Sequence, residues 1–261
     1  MSGLPRESLM TAIVHIMMNH KIVYIQYTNP AGYPPLEHSA RILTDAGWQV
    51  VFLAVESPGS KDLQFPEHLA ARVRQLRNRP PGWQQKLHYF LFMGWVIFWV
   101  VRVRPSWIYA SDPLSCPVAL LLSYLTPLKV LYHEHDSPSA AEGDTGSVFM
   151  RWVAWARHRL AHRADLCILP NEQRAKIFGE MARREALTVW NCPATSEVGP
   201  PRLPHTGNTL RLLYHGSIVP SRLPTTVLEA LAQLPPEVSL TVIGYETSGH
   251  AGYLEHLRLQ A

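Results

Sequence analysis

The chain has 261 residues, of which 47% are hydrophobic and 17% are charged. This composition excludes a disordered polar tail and allows either one large domain or two ordinary domains. The formal net charge of +4 is a mild excess that by itself is weak evidence for an anionic partner, and no nucleic-acid partner is expected.

The first 20 residues are predicted to be a peripheral segment. Arg6 and Glu7 precede an apolar patch that no small-residue cleavage site follows, so the pattern does not indicate a secretory signal. Three cysteines lie far apart in the sequence and form no CxxC pair: Cys116, Cys167 and Cys192. An odd, widely spaced set favours a reduced compartment, and a cytoplasmic location is expected.

Apolar, β-rich runs then alternate with helical patterns. Strands are predicted at residues 21–27, 48–55, 107–110, 129–133, 166–169 and 187–190. Helices are predicted at residues 37–45, 83–102, 113–124, 146–164 and 172–184, whereas residues 57–80 are predicted to be irregular or partly helical. Such alternation predicts an α/β domain over residues 21–192 with a Rossmann-like, doubly wound parallel sheet.

A second domain is predicted after a linker. Residues 193–209 carry several prolines and show no apolar period, which is typical of a linker. Residues 210–246 have the pattern of a strand, a glycine turn, a helix and a strand. They predict the first βαβ unit of an incomplete second Rossmann-like domain at residues 210–261.

Ligands of an open α/β sheet bind at the carboxyl ends of its strands, so the loops that follow the strands hold the candidate site residues. In the loop at residues 28–35, Gly32 would let a ligand approach the backbone, and the next helix would offer free N–H groups. A proline-stiffened turn is the structural alternative. Asp112 either contacts substrate or caps the helix that follows it.

The segment after the strand at residues 129–133 is the richest in polar groups. Alternation predicts that His133 and His135 lie on one face and that Glu134 and Asp136 lie on the other. A metal site needs further converging ligands, and no matching cluster appears elsewhere in the sequence, so no metal is expected. A contact to a sugar or acceptor is favoured over a polar loop that closes a helix terminus.

Two more loops complete the candidate set. Asn171 is either the N-cap of the helix at residues 172–184 or an acceptor contact. Gly216, Ser217 and Arg222 form a glycine turn with an arginine in the approach to a helix, which suits a diphosphate. A solvent-exposed loop arginine is the alternative.

One predicted helix raises the question of a membrane. Residues 89–101 are uncharged, but the run is too short to span a bilayer and is typical of a buried helix. From residue 66 to residue 111 the only acid is Glu67, whereas seven residues are basic: Arg72, Arg74, Arg77, Arg79, Lys86, Arg102 and Arg104. The alternative is therefore a helix that docks in a membrane interface, at the inner face of the membrane.

These motifs, in this order, resemble those of GT-B fold glycosyltransferases of the large retaining family four, also called glycosyl transferase group 1. The resemblance extends from residue 21 to about residue 255. It rests on the opening strand with its glycine-bearing loop and on six further segments: residues 108–112, 133–136, 164–172, 189–193, 215–217 and 242–246. Each motif is loose, and their order and spacing carry the specificity.

The resemblance implies a hexosyltransferase-type enzyme that moves a sugar, with retention, from a nucleotide-diphosphate sugar to a carbohydrate or lipid-linked acceptor in polysaccharide synthesis. It implies a histidine beside the transferred sugar, at His133 or His135, and neither a cofactor nor a metal. Donor contacts are implied at four residues: Gly32, Gly216, Ser217 and Arg222. Acceptor contacts are expected in the first domain at four residues: Asp112, Glu134, Asp136 and Asn171.

The sequence departs from the family pattern in the second domain. Ser217 follows the glycine where the family has an arginine, and Arg222 substitutes for only one of two diphosphate-contacting charges. The family's two donor-binding glutamates have no counterpart, so the resemblance implies a chain truncated in that domain, and this chain alone could be inactive. Two alternatives stay open: a non-catalytic acceptor-binding or scaffold protein derived from such an enzyme, and a GT-B sugar-phosphate epimerase.

Overall fold

The computed structural model describes residues 20–57, 63, 71–80, 82–135, 147–193, 195–200, 207, 209–246 and 248–261. The chain divides into two compact units, residues 1–195 and residues 196–261. The division falls inside the segment that the sequence predicts to be a linker.

The first unit contains a parallel β-sheet. Its described strands are β1 (Lys21–Gln26), β2 (Gln49–Val55), β3 (Ala71–Leu76), β4 (Trp107–Ala110), β5 (Lys129–His133), β6 (Leu166–Leu169) and β7 (Leu187–Thr188). They pair in the order β3-β2-β1-β4-β5-β6-β7, and every pair is parallel. The predicted doubly wound α/β sheet is confirmed, and β4, β5 and β6 have the predicted bounds.

Helices cover the two faces of this sheet unequally. The described α-helices of the unit are α1 (Pro34–Asp45), α2 (Trp83–Val103), α3 (Cys116–Leu125), α4 (Val148–Arg163) and α5 (Glu172–Ala182). Helix α1 packs on one face, and α2 to α5 pack on the other. Alternate residues of β1 therefore enter different cores: Val23 and Ile25 pack with α2 to α5, whereas Ile22 and Tyr24 pack with α1.

Strand β3 corrects the prediction of an irregular or partly helical segment over residues 57–80. Its sequence, ARVRQL, lacks the apolar run of a buried strand, yet it pairs with β2 from Val50↔Ala71 to Val55↔Leu76. It lies at the edge of the sheet, where charged side chains can reach solvent. Pairing with β2 therefore overrides the local pattern. Residues 58–62 and 64–70 lie outside the described part of the chain.

The second unit contains two parallel strands, β8 (Leu210–Ser217) and β9 (Val238–Tyr245), with helices α6 (Thr226–Leu231) and α7 (Tyr253–Gln260). The predicted order of strand, turn, helix and strand is observed. Gly216 pairs with Gly244, and a Cβ atom at Gly244 would overlap the carbonyl oxygen of Gly216. Glycine is also required at Gly216, because its φ of 148° disfavours other residues. The close approach of the strands thus requires glycine at Gly244, whereas the backbone conformation requires it at Gly216.

Candidate active site

The loops that carry most of the predicted site residues follow neighbouring strands. Strands β1, β4, β5 and β6 lie side by side and run in the same direction, so their carboxyl ends form one edge of the sheet. Asp112, His133 and Asn171 lie at or just after the ends of β4, β5 and β6. The sheet therefore brings these three candidates to a common edge, as the sequence predicts.

A pair of histidines lies at this edge. The ring centroids of His133 and His135 are 3.9 Å apart, and the ring planes are inclined by 40°. The prediction that both lie on the same face of the strand end is confirmed. The ring of Tyr33, in the loop before α1, lies 5.8 Å from the ring of His135. The guanidinium of Arg174, on α5, donates a hydrogen bond to the carbonyl oxygen of His135 at 3.0 Å. His135 is therefore contacted both by the loop before α1 and by helix α5.

His133 is held as a neutral imidazole. Its side chain is buried, and burial, together with the neighbouring His135, lowers its pKa from 6.5 to about 3. Nδ1 of His133 is hydrogen-bonded to the hydroxyl of Tyr109. The ring of Tyr109 stacks on that of Tyr24 at 4.2 Å, and the Tyr24 hydroxyl donates to Oγ of Ser39 at 3.1 Å. These contacts link the histidine pair, through two strands, to helix α1.

Glu134 does not belong to the same cluster. Its side chain is 1% exposed and points to the other face of the sheet, where Arg157 of α4 binds it through two hydrogen bonds of 2.6 and 2.7 Å. The hydroxyl of Tyr132 donates a third bond, at 2.7 Å. This geometry contradicts the predicted acceptor contact at Glu134, because a buried and paired carboxylate does not reach a ligand at the edge. Asp136, predicted to act beside it, lies outside the described residues.

Asp112 ties two strand ends together. One carboxylate oxygen accepts a hydrogen bond from the backbone N–H of Tyr27 at 2.6 Å, and the other accepts one from the N–H of Ser115 at 2.6 Å. Burial raises the pKa of Asp112 to about 6, although these bonds counteract the rise. The helix-cap alternative is therefore observed, and a contact between Asp112 and an acceptor stays a prediction.

Asn171 is also a cap. Its side-chain oxygen accepts a hydrogen bond from the backbone N–H of Arg174 at 2.9 Å, at the start of α5. The N-cap alternative is thus confirmed for this residue as well. The predicted acceptor contact of Asn171 would have to use the remaining hydrogen-bonding groups of the amide.

The loop that holds Gly32 offers less to an anion than its sequence suggests. Helix α1 begins with Pro34 and Pro35, which have no N–H groups, and the N–H of Leu36 donates to the carbonyl oxygen of Tyr33 at 2.9 Å. The N–H of Gly32 donates to the carbonyl oxygen of Asn29 at 3.3 Å. The prediction that the start of α1 offers free backbone N–H groups to a ligand is therefore wrong. A Cβ atom at Gly32 would meet nothing within 4 Å, so its donor contact stays a prediction based on open space.

In the second unit, Gly216 and Ser217 end strand β8, and Arg222 lies exposed in the turn that follows. The hydroxyl of Tyr214 donates to the carbonyl oxygen of Ser217 at 2.6 Å, which fixes the strand end. The backbone N–H of Arg222 donates to the carbonyl oxygen of Val219 at 3.0 Å. The donor contacts predicted for these residues stay predictions.

A largely apolar groove of about 440 Å³ lies on the α1 face of the sheet, and His133 and His135 line it. Trp107, Leu131 and Ile168 contribute to its lining from the strands. The segment after β7, residues 189–192, lines it too, and the indole N–H of Trp190 donates to the Glu172 carboxylate at 3.0 Å. Among the described residues, no group of three or more His, Cys, Asp or Glu side chains could hold a metal ion.

Sequence reasoning missed Tyr109 and Trp190 as members of this surface. A signal for Tyr109 was available, because a tyrosine in a buried strand needs a hydrogen-bond partner for its hydroxyl. His133 was a candidate partner, since the two lie on adjacent strands and on the same face. Trp190 carried no comparable signal, because its contact depends on where the chain turns after β7.

The family of glycosyl transferase 4-like domains matches residues 36–193, which is more than half of the chain. The chain belongs to this family. The match covers α1 from its third residue, the strands from β2 to β7 and the first residues after β7. The GT-B resemblance found in the sequence is therefore confirmed at the level of family and fold.

Solved structures agree on the fold. The chain is similar to Anabaena HepE in complex with UDP-glucose, with 19% identity, 92% of this chain and 65% of HepE covered, and a TM-score of 0.59. It is also similar to sucrose-phosphate synthase from Thermosynechococcus elongatus, with 15% identity, 93% and 66% of the two chains covered, and a TM-score of 0.68. The chain therefore spans just under two thirds of these proteins. No curated protein matches it by sequence.

Proposed function

We propose that this protein transfers a hexosyl unit, with retention of configuration, from a nucleotide-diphosphate sugar to a carbohydrate or lipid-linked acceptor. The family and the Rossmann-like GT-B fold support a transferase of this class. The observation that carries the proposal is the close pair of His133 and His135, with His133 held neutral, at the carboxyl edge of the sheet beside the groove. Ligands of open α/β sheets bind at this edge.

The histidine pair suits a positioning role. A neutral imidazole offers one hydrogen-bond donor and one acceptor, which matches the hydroxyl groups of a sugar. His135 is less buried than His133 and is the member that would contact the sugar. The rate would come from holding the acceptor hydroxyl against the face of the donor sugar from which the diphosphate leaves, and from stabilising that diphosphate. No side-chain nucleophile is needed for this route.

The donor is proposed to be held mostly by the second unit, at Gly216, Ser217 and Arg222. The guanidinium of an exposed arginine can donate two parallel hydrogen bonds to phosphate oxygens. HepE has been solved with UDP and with UDP-glucose, which makes a uridine-diphosphate sugar the first donor to test. A cytoplasmic location belongs to the proposal. The three cysteines are free thiols, which suits a reducing compartment.

The test starts with donor binding and proceeds to turnover. Calorimetry would measure the binding of UDP-, GDP-, dTDP- and ADP-hexoses to the purified chain, and a coupled assay would follow nucleoside diphosphate release with oligosaccharide or lipid-extract acceptors. We expect one class of donor to bind and to be consumed. If none of the nucleotide sugars binds and none is consumed, the proposal is wrong.

A matched pair of variants tests the histidine assignment. His135→Ala removes the proposed sugar contact and is expected to lower turnover about 100-fold, as misplacement of a substrate commonly does. His158→Ala removes an exposed histidine of α4, which packs on the other face of the sheet, and should leave turnover unchanged. Equal rates for both variants would remove His135 from the site.

A further inference from the structure

Helix α2 has an apolar side that the described residues of the chain leave exposed. Of the described helices, it is the one that is long and apolar enough to cross a bilayer by length and composition, with a mean hydropathy of 1.3 over its most apolar 18 residues. Only 22% of those residues are buried. The buried side consists of Tyr89, Phe92, Val96 and Val100, which pack into the core beneath the sheet. Helix α2 is therefore anchored in the fold along one side.

The opposite side of α2 is apolar as well, where a surface helix normally carries polar residues. Five residues form this side, which we name the α2 ridge: Trp83, Leu87, Leu91, Phe98 and Val101. Their exposed fractions run from 55% to 72%. They recur at helical spacings from Trp83 to Val101, which gives the ridge a length of about 27 Å. Exposed apolar surface of this extent marks an interaction site.

Positive charge borders the ridge. Lys86 lies in the first turns of α2, Arg102 lies in its last turn, and Arg104 follows as the C-cap. At this end of the helix, a hollow of about 480 Å³ is lined by Lys21, Phe98 and residues 101–104. The ammonium of Lys21 donates to the carbonyl oxygen of Val103 at 3.4 Å. Three cations thus line one hollow at the end of an apolar ridge.

We propose that the α2 ridge docks the protein peripherally on an anionic phospholipid surface, with lipid phosphate groups in the hollow beside Lys21, Arg102 and Arg104. Charge complementarity selects this partner. Residues 71–111 contain seven Lys or Arg and no Asp or Glu, so the ridge is bordered by one sign of charge. A second copy of the chain would bring like charges together, whether the two helices ran parallel or antiparallel. An exposed tryptophan and flanking cations are typical of helices in a membrane interface.

Co-sedimentation tests the docking directly. The full chain would be mixed with vesicles of phosphatidylcholine alone and with vesicles that contain phosphatidylglycerol in addition. We expect the chain to pellet with the anionic vesicles, to stay in solution with the neutral ones, and to be released by salt. No binding to anionic vesicles, or equal binding to both kinds, overturns the proposal.

The ridge is tested by Leu91→Glu against Ile177→Glu. Both are aliphatic residues on helices, exposed by 62% and 60%, and Ile177 belongs to α5. A glutamate in the ridge should abolish vesicle binding, because it places a negative charge against the lipid, whereas the control should bind like the unmodified chain. Circular dichroism would show that both variants fold. Retained binding by Leu91→Glu contradicts the proposal.

The cations are tested by Arg104→Gln against Arg183→Gln. Both arginines are exposed C-cap residues with positive φ, of 52° at Arg104 and 48° at Arg183, so both substitutions carry the same backbone cost. We expect the partition coefficient to fall about 5-fold for Arg104→Gln alone, because one basic residue near an anionic surface is lost. An equal fall for Arg183→Gln would mean that general charge, not the hollow, governs binding.

Two further measurements separate the alternatives. Brominated lipids should quench the unmodified chain more than Trp83→Phe, because Trp83 would lie among them; equal quenching would contradict the proposed orientation. By light scattering, we expect the unmodified chain and Leu91→Glu to have the same oligomeric state. The contradicting result would be a dimer of the unmodified chain that Leu91→Glu dissociates. Such a dimer would identify the ridge as an interface between copies and overturn the membrane assignment. None of these measurements uses a substrate, so their failure would leave the proposed transfer reaction untouched.

Discussion

Consecutive residues at the end of β5 face two different environments. On the face covered by α2 to α5, Glu134 is buried and accepts hydrogen bonds from Tyr132 and Arg157. On the α1 face, His133 and His135 lie against each other beside an apolar groove. Alternation along the strand end therefore separates a buried ion pair on one face from a pair of imidazoles on the other. A cluster such as HEHD should accordingly be divided by face before any of its members is assigned a role.

The largest expected effect on stability comes from breaking the pair of Glu134 and Arg157 on the face covered by α2 to α5. Arg157→Met leaves the carboxylate of Glu134 buried without its cation, which should lower the free energy of unfolding by about 3–5 kcal/mol. Arg151→Met removes an exposed arginine of the same helix and should change it by less than about 0.5 kcal/mol. Urea unfolding monitored by circular dichroism measures both. A loss below about 1 kcal/mol for Arg157→Met would show that the pair does not stabilise the fold.

On the α1 face, buried His133 should make the free energy of unfolding depend on pH. Its pKa is about 3 in the folded chain and 6.5 in the unfolded chain, so the folded state disfavours the proton. The stabilisation is present above pH 6.5 and is lost as the pH falls toward 3. From about pH 6 to pH 4, this residue should lower the free energy of unfolding by about 1.4 kcal/mol per pH unit.

The contribution of His133 can be isolated by comparing slopes. Asp112 acts in the opposite direction, because its raised pKa of about 6 means that its stabilisation is lost as the pH rises from about 4 to 6. Since His133→Gln keeps Asp112, the difference between the two slopes belongs to the histidine. Urea unfolding at a series of pH values measures both slopes, and parallel slopes would exclude a buried neutral His133.

Tyr109→Phe tests the link between the histidine pair and the sheet. The substitution leaves Nδ1 of buried His133 without its hydroxyl partner and should lower the free energy of unfolding by about 2 kcal/mol. Tyr24→Phe removes the neighbouring hydroxyl, whose partner, Ser39, is only partly buried, and should cost about 1 kcal/mol. Thermal unfolding measures both. The reverse order would show that the Tyr109 hydroxyl does not hold His133.

Much of the first unit could be predicted from the sequence, because its central strands are continuous apolar runs. The bounds of β4, β5 and β6 were predicted correctly, since each run is closed by a turn or by polar residues. Strand β3 was missed because an edge strand gains its stability from pairing with β2, which leaves no apolar pattern in ARVRQL. A pairing partner such as Val50 for Ala71, which lies 21 residues away in the sequence, cannot be deduced from local periodicity.

The position of the candidate site could be predicted from the sequence, but the contacts made by each of its polar side chains could not. The carboxyl edge and the facing histidines followed from strand direction and alternation. The engagement of Glu134 by Arg157 did not, because the partner lies on α4, 23 residues further along the chain. The loss of free N–H groups before α1 could have been foreseen, since Pro34 and Pro35 are visible in the sequence and carry no donor.

The smallest expected effect separates a cap from a ligand contact at Asn171. Asn171→Ala removes the bond to the N–H of Arg174 and should lower the free energy of unfolding by about 1 kcal/mol. Asn171→Asp keeps a capping oxygen and should restore this stability, so the two variants differ in the cap while both lack the amide N–H₂ group. If turnover falls equally in both variants, the amide contacts the acceptor. If turnover follows stability instead, Asn171 serves the edge of the sheet only by fixing the start of α5, and the acceptor contact predicted for it is wrong.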